Sequence, residues 1–113
     1  MLDATLHPGE TGTAQWKTVQ YGDLRIRRVT YSPGYKANHW CTLGHIVYCI
    51  KGEFVSELSD GRTFELTAGT SYQVSNGVST HRSYSQHGAE VLIIDGTFLD
   101  NHKKKPERNP WKM

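Results

Sequence analysis

The sequence predicts an all-β domain, a sandwich or jelly-roll barrel of short strands. Three observations predict it. Strand-like runs recur, among them HIVYCIK at 45–51 and EVLIID at 90–95. Turn signals such as Gly22-Asp23, Pro33-Gly34, Asp60-Gly61, Ala68-Gly69 and Asn76-Gly77 punctuate the chain, at intervals of roughly 8–12 residues. The 3.6-residue apolar period of an amphipathic helix is hard to find anywhere.

The elements follow in order. Residues 15–20 read as a first strand, closed at Gly22-Asp23. Leu24 to Tyr31 reads as a second, with Leu24 and Ile26 on one face and Arg25 and Arg27 on the other. The alternation slips before Val29, which predicts a bulge or a bend. A polar strand is expected from Tyr35 to Cys41, and Leu43-Gly44 allows a bend. His45 to Lys51 is the most strand-like run, ended by Gly52. Glu53–Leu58 and Thr63–Leu66 flank Asp60-Gly61, the strongest short hairpin signal. Further strands are read at Ser71–Val74, His81–Ser85 and Glu90–Asp95, with Phe98-Leu99 packing on the barrel end. About nine or ten strands result.

With 113 residues the chain fits one domain, a core at about 15–100 followed by a polar, basic tail at 101–113. A net charge of +2 gives no electrostatic case for nucleic-acid binding. No apolar stretch approaches the roughly 20 residues of a membrane span. Residues 1–12 lack the apolar core of a signal peptide, so the cytoplasm is the expected location. Two cysteines make no disulfide framework; both are expected to be thiols, or one of them a metal ligand. The polar segment before Trp16 suits pairing with a second copy, and a homodimer is expected.

The chemistry lies in a group of histidines and a cysteine. His39 and Cys41 are two apart and share a face of a regular strand; His45 follows at an even spacing. His81 lies beyond two hairpin-type turns, a path that returns it toward the first group. Imidazole and thiolate are good ligands for zinc, iron, nickel and copper. A single histidine is more often a hydrogen-bonded or surface residue than a ligand; the shared spacing is what raises the set above that reading. His7, His87 and His102 fall in terminal or turn segments and read as surface residues. Tyr48, Tyr72 and Tyr84 are candidates to line the cavity and donate a phenolic proton, although packing is the commoner role. Cys49 reads as a small core residue. Trp40 and Arg82 alternate with the ligand positions and are expected to point away from them. Glu53, Glu57 and Asp60 fall in an exposed hairpin, and none of them reads as a general base.

The stretch PGYKANHWCTLGHIVYCIKG at 33–52 resembles the first conserved motif of the cupins. Gly34, four residues, His39-Trp40-Cys41, three residues, His45, six residues and Gly52 follow its order. Cys41 stands in the place of the second histidine and His45 in that of the glutamate. Gly69, Ser75-Asn76-Gly77, His81 and Ser85 resemble the second motif, with Ser75 in place of its proline, one extra residue before His81 and Ser85 in place of its asparagine. Within the cupins the chain is similar to a small group known for a DHCW motif, on Asn38-His39-Trp40-Cys41 and Gly44-His45-Ile46-Val47, with Asn38 replacing the aspartate. The resemblance implies a cupin double-stranded β-helix holding a divalent transition metal on His39, Cys41, His45 and His81. Two outcomes are distinct. If Cys41 ligates, three histidines and a thiolate make a closed site suited to structural zinc. If it turns away, three histidines leave positions open for chemistry by zinc, iron, nickel or manganese. The functions implied are a metal-dependent enzyme on a small molecule, dioxygenase- or isomerase-like, or a non-catalytic cupin that binds or senses a small ligand.

Overall fold

Period-two burial runs through the strands, and it decides what faces the interior. The computed structural model describes residues 4–42, 44–74 and 80–99. Leu43, the Asn76-Gly77 turn, Ser75 and the tail at 101–113 lie outside the described residues. The strands are β1 (Ala4–Pro8), β2 (Thr13–Tyr21), β3 (Leu24–Tyr31), β4 (Tyr35–Lys36), β5 (His45–Leu58), β6 (Thr63–Thr67), β7 (Ser71–Val74), β8 (His81–Ser85) and β9 (Ala89–Asp95), followed by a short 3-10 turn at Thr97–Leu99. Every pairing between them is antiparallel. The order is β1-β2-β3-β9-β5-β8-β4, with β6 and β7 also pairing with β5. Among the described residues no helix is long and apolar enough to cross a membrane.

Strand β5 organises the molecule because it belongs to both sheets. Its first half, His45–Tyr48, pairs with β7, and Ile46–Gly52 pairs with β9. Its second half pairs with β6 and β8. The register shifts between Cys49 and Lys51, where the strand turns from one sheet into the other. Gly52, expected to end the strand, instead carries it round the bend. Its φ is +82°, and a Cβ there would lie 2.3 Å from the Gly88 carbonyl oxygen, so only glycine fits. The bulge predicted before Val29 is absent: β3 keeps regular register with both β2 and β9. The apparent slip has another cause. Arg27, Val29 and Tyr31 are all buried on one face, so the arginine face is the inner face. The predicted hairpin at Asp60-Gly61 forms, with Gly61 at φ +96°. Strand β1 adds an edge not read as a strand, paired with β2 of its own chain.

The core lies between the sheets. Val29, Val47, Cys49, Phe54 and Val91 are each 2 % exposed or less. Full burial of such side chains stabilises by about 1.5–3 kcal/mol each. Cys49 is the small core residue expected, its Sγ 3.6 Å from the Lys51 carbonyl. Phe98 does not pack on the barrel end and is exposed.

Candidate metal centre

Residues of both sheets line a cavity of about 480 Å³. Its floor and walls include Val47, Phe54 and Ile93; its polar groups include Arg25, Arg27, Cys41, His45, Tyr72 and His81. The volume lies in the range of small-molecule sites.

Three chain segments deliver the metal-ligating types. His45 opens β5 and His81 opens β8. Cys41 lies in the connection before β5 and forms an isolated bridge with His81: the Cys41 N–H donates to the His81 carbonyl at 2.7 Å, and the His81 N–H to the Cys41 carbonyl at 3.0 Å. That bridge fixes the thiol beside the imidazole. Cys41 Sγ lies 3.9 Å from His45 Nε2, and the rings of His45 and His81 meet edge to face at 5.1 Å between centroids. One donor atom from each of Cys41, His45 and His81 lies within 4.8 Å of the others. His81 is 3 % exposed.

His39 lies outside this group. Strand β4 stops at Lys36, so the regular alternation expected to carry His39 and Cys41 on one face is lost across Ala37–Trp40. His39 is exposed at the cavity rim, its Nδ1 2.7 Å from the Asn38 side-chain oxygen. Neither expected set, three histidines with Cys41 or three histidines without it, is assembled. The cluster present is two histidines and the cysteine. The aromatic expectations divide likewise. Tyr72 lines the cavity, its hydroxyl 2.9 Å from Ser56 Oγ. Tyr48 is exposed, because Val47 and Cys49 take the inward positions of β5. On β8 the cavity is lined by Ser83, not by Tyr84. Arg82, expected to point away, reaches the cavity edge; it sits over Trp40 and its Nε donates to Glu57 at 2.9 Å. Glu57 is therefore half-buried and paired rather than free in an exposed hairpin. His7, read as a surface residue, stacks on Trp16 at the cavity.

Sequence reasoning missed Asp95 and Arg27. In the β3–β9 ladder Arg25 is opposite Asp95. Continuing the β5–β9 ladder one residue past Ile46↔Ile94 puts His45 opposite Asp95 from the other side. One row across three strands therefore reads Arg25, Asp95, His45. Arg25 donates to Asp95 Oδ2 (2.8 Å from Nε and 2.7 Å from an Nη), and Arg27 donates to Oδ1 at 3.0 Å. His45 Nδ1 lies 3.5 Å from Oδ1, an ion-pair approach rather than a short hydrogen bond. The Trp16 ring covers the Arg27 guanidinium at 4.5 Å. The signal was present in parity: 25, 27, 29 and 31 form one face, and 91, 93 and 95 another, both buried inward.

These contacts set the charge of the site. Burial opposes ionisation of Asp95, but the approach of His45 and the charges of Arg27 and Arg25 outweigh it and hold its pKa at about 2. Burial disfavours the His45 cation, but Asp95 and Cys41 together outweigh that and raise its pKa. Burial pushes the phenols of Tyr31 and Tyr72 up, so both stay protonated near neutrality.

No protein-family model matches the sequence, and no curated protein matches it either. Solved structures do match in fold. A protein described as a predicted oxalate decarboxylase from Thermotoga maritima superposes with a TM-score of 0.69 at 15 % identity, covering 84 % of this chain and 93 % of that one. A cupin-like protein from the same organism gives 0.68 at 16 % identity, over 80 % and 74 % of the two chains. A cupin-2 domain protein from Shewanella frigidimarina gives 0.59 at 14 % identity, over 72 % and 78 %. Nine antiparallel strands among the described residues, in two sheets joined by β5, and this agreement with cupin structures make the fold of this chain that of a small cupin.

Proposed function

We propose that Cys41, His45 and His81 hold one divalent transition-metal ion, and that the ion serves a small-molecule ligand in the cavity. The observation that carries this is the convergence of one sulfur and two imidazole donors, from three separate segments, within 4.8 Å at a cavity wall. The donor set fits such an ion: sulfur with nitrogen suits zinc first, with iron and nickel behind it. Three protein donors leave a coordination position for water or ligand, the pattern of working rather than structural zinc. Bound there, the ion would supply Lewis-acid polarisation of a carbonyl or acidify a water. Asp95 supports the reading from behind. The carboxylate 3.5 Å from Nδ1 of His45 favours a proton on that nitrogen, which leaves Nε2, 3.9 Å from Cys41 Sγ, as the ligating atom.

A non-catalytic role is favoured by one feature. Among the described residues no carboxylate lines the cavity itself, so a general base there would have to be an imidazole outside the proposed ligand set, His7 or His39 at the cavity. A ligand bound in that role would be recovered unchanged.

The test is metal content by plasma mass spectrometry on untagged protein purified without chelators. About one ion per chain is expected, kept in His39→Ala and lost in Cys41→Ser and His81→Ala at unchanged circular dichroism. Protein that carries no metal, and takes up none from added zinc, iron, nickel or manganese, would sink the proposal. Loss of the ion in His39→Ala alone would move the centre to the rim.

A further inference from the structure

The cavity wall next to the metal centre carries an imbalance of charge. Arg25 and Arg27 both line the cavity, and both donate to one carboxylate, Asp95, each taking a different oxygen. Two guanidinium groups against one carboxylate leave one unit of positive charge on that wall. The third arginine at the cavity, Arg82, is matched by Glu57 and adds nothing to the excess. A divalent ion on one thiolate and two neutral imidazoles would add further positive charge beside it, since His45 approaches the same Asp95. The lining also offers apolar surface on Val47, Phe54 and Ile93, beside neutral polar groups such as Ser56, Tyr72 and Ser83. A cationic ligand meets like charge, and a neutral one leaves the excess uncompensated.

We infer that the cavity takes a small organic acid, whose carboxylate is bound by the Arg25–Arg27 pair and whose apolar body lies against Val47, Phe54 and Ile93. The inference rests on the reading of this cavity as the functional site but not on its metal occupancy. Arg25 is the accessible member, with its side chain 29 % exposed against 7 % for Arg27. Guanidinium suits the task because its planar donors engage both oxygens of a carboxylate.

The test uses benzoate and its neutral isostere benzamide, titrated calorimetrically into the full chain, both chelator-stripped and zinc-loaded. Benzoate is expected to bind at least about tenfold more tightly than benzamide in both forms, the scale of a hydrogen-bonded charge pair. Arg25→Gln leaves Arg27 and Asp95 matched one to one and should bring the two affinities within about twofold of each other. Arg25→Lys keeps the charge but not the planar fork and should give a preference between those of wild type and Arg25→Gln, and Arg28→Gln, on the outer face, should change nothing. Equal binding of the two probes, or no binding of benzoate, overturns the inference. So does a preference that appears only with zinc and survives Arg25→Gln, since the metal would then be the carboxylate's partner. Should Arg25→Gln fail to fold, the wild-type comparison in the stripped protein decides alone. Failure of the metal proposal leaves the stripped-protein preference intact, so the two failures are distinguishable.

Discussion

Arg27 and Arg28 are neighbours in sequence, and each pairs with a carboxylate of β9, yet the two pairs live in different solvents. Arg27 faces inward, its side chain 7 % exposed, and shares Asp95 with Arg25 and His45. Arg28 faces outward, 56 % exposed, and pairs with Glu90. One residue of strand parity separates a buried network beside the candidate metal centre from a surface ion pair. Both join an arginine of β3 to a carboxylate of β9, Asp95 in one and Glu90 in the other; the pleat decides which is buried and which is solvent-screened. Three measurements sharpen or break the comparison.

The largest effect should come from Asp95→Ala. It strands two guanidinium groups, one of them buried, without their counter-charge. Breaking a buried pair by removing one partner costs about 3–5 kcal/mol. Urea unfolding should show a loss of that order, and metal affinity should fall with it as His45 loses the group that orients it. A loss below about 1 kcal/mol would mean that the inner network is worth no more than a surface pair, and the comparison would collapse.

Acid comes next. The Asp95 carboxyl titrates near 2 in the folded chain, against about 3.9 in an unfolded one. Its folded pKa is depressed, so its contribution is fully present above about pH 4 and is lost as pH falls toward 2. The contribution is about 2 kcal/mol. Wild type should therefore lose about that much more than Asp95→Asn between pH 4 and 2, as read by urea midpoints at each pH. Parallel curves would show that Asp95 is not held ionised by its neighbours.

How much of this was legible in the sequence turns on the same parity. The strands, the Asp60-Gly61 hairpin and the cysteine–histidine group were readable, because alternation, turn chemistry and ligand types are local signals. The inner arginines were not. An arginine on a strand reads as a solvent-facing residue, so the alternation was assigned by polarity and seemed to slip at Val29. Counting parity outward from Val29 and Tyr31 would have put Arg25 and Arg27 inside. Asp95 was hidden differently: its meaning depends on β3 and β5 flanking β9, a pairing across more than 40 residues of chain that no local pattern encodes. His39 failed for the opposite reason. Its spacing from Cys41 suited a strand, but the chain leaves the sheet after Lys36 and the spacing no longer fixes a face.

The smallest effect belongs to the outer pair. Glu90→Ala removes the partner of an arginine that water already solvates, and exposed pairs of this kind contribute about 0–1 kcal/mol. The loss should shrink further at 1 M salt, where the screening length falls to about 3 Å. Asp95→Ala should keep most of its cost at the same salt, because the inner network excludes the ions that would screen it. The informative quantity is thus the difference between the two variants at low and at high salt. If salt narrows that difference, the inner network is wetter than its burial implies; if salt leaves it or widens it, the pleat has separated two arginine–carboxylate contacts into two dielectric regimes.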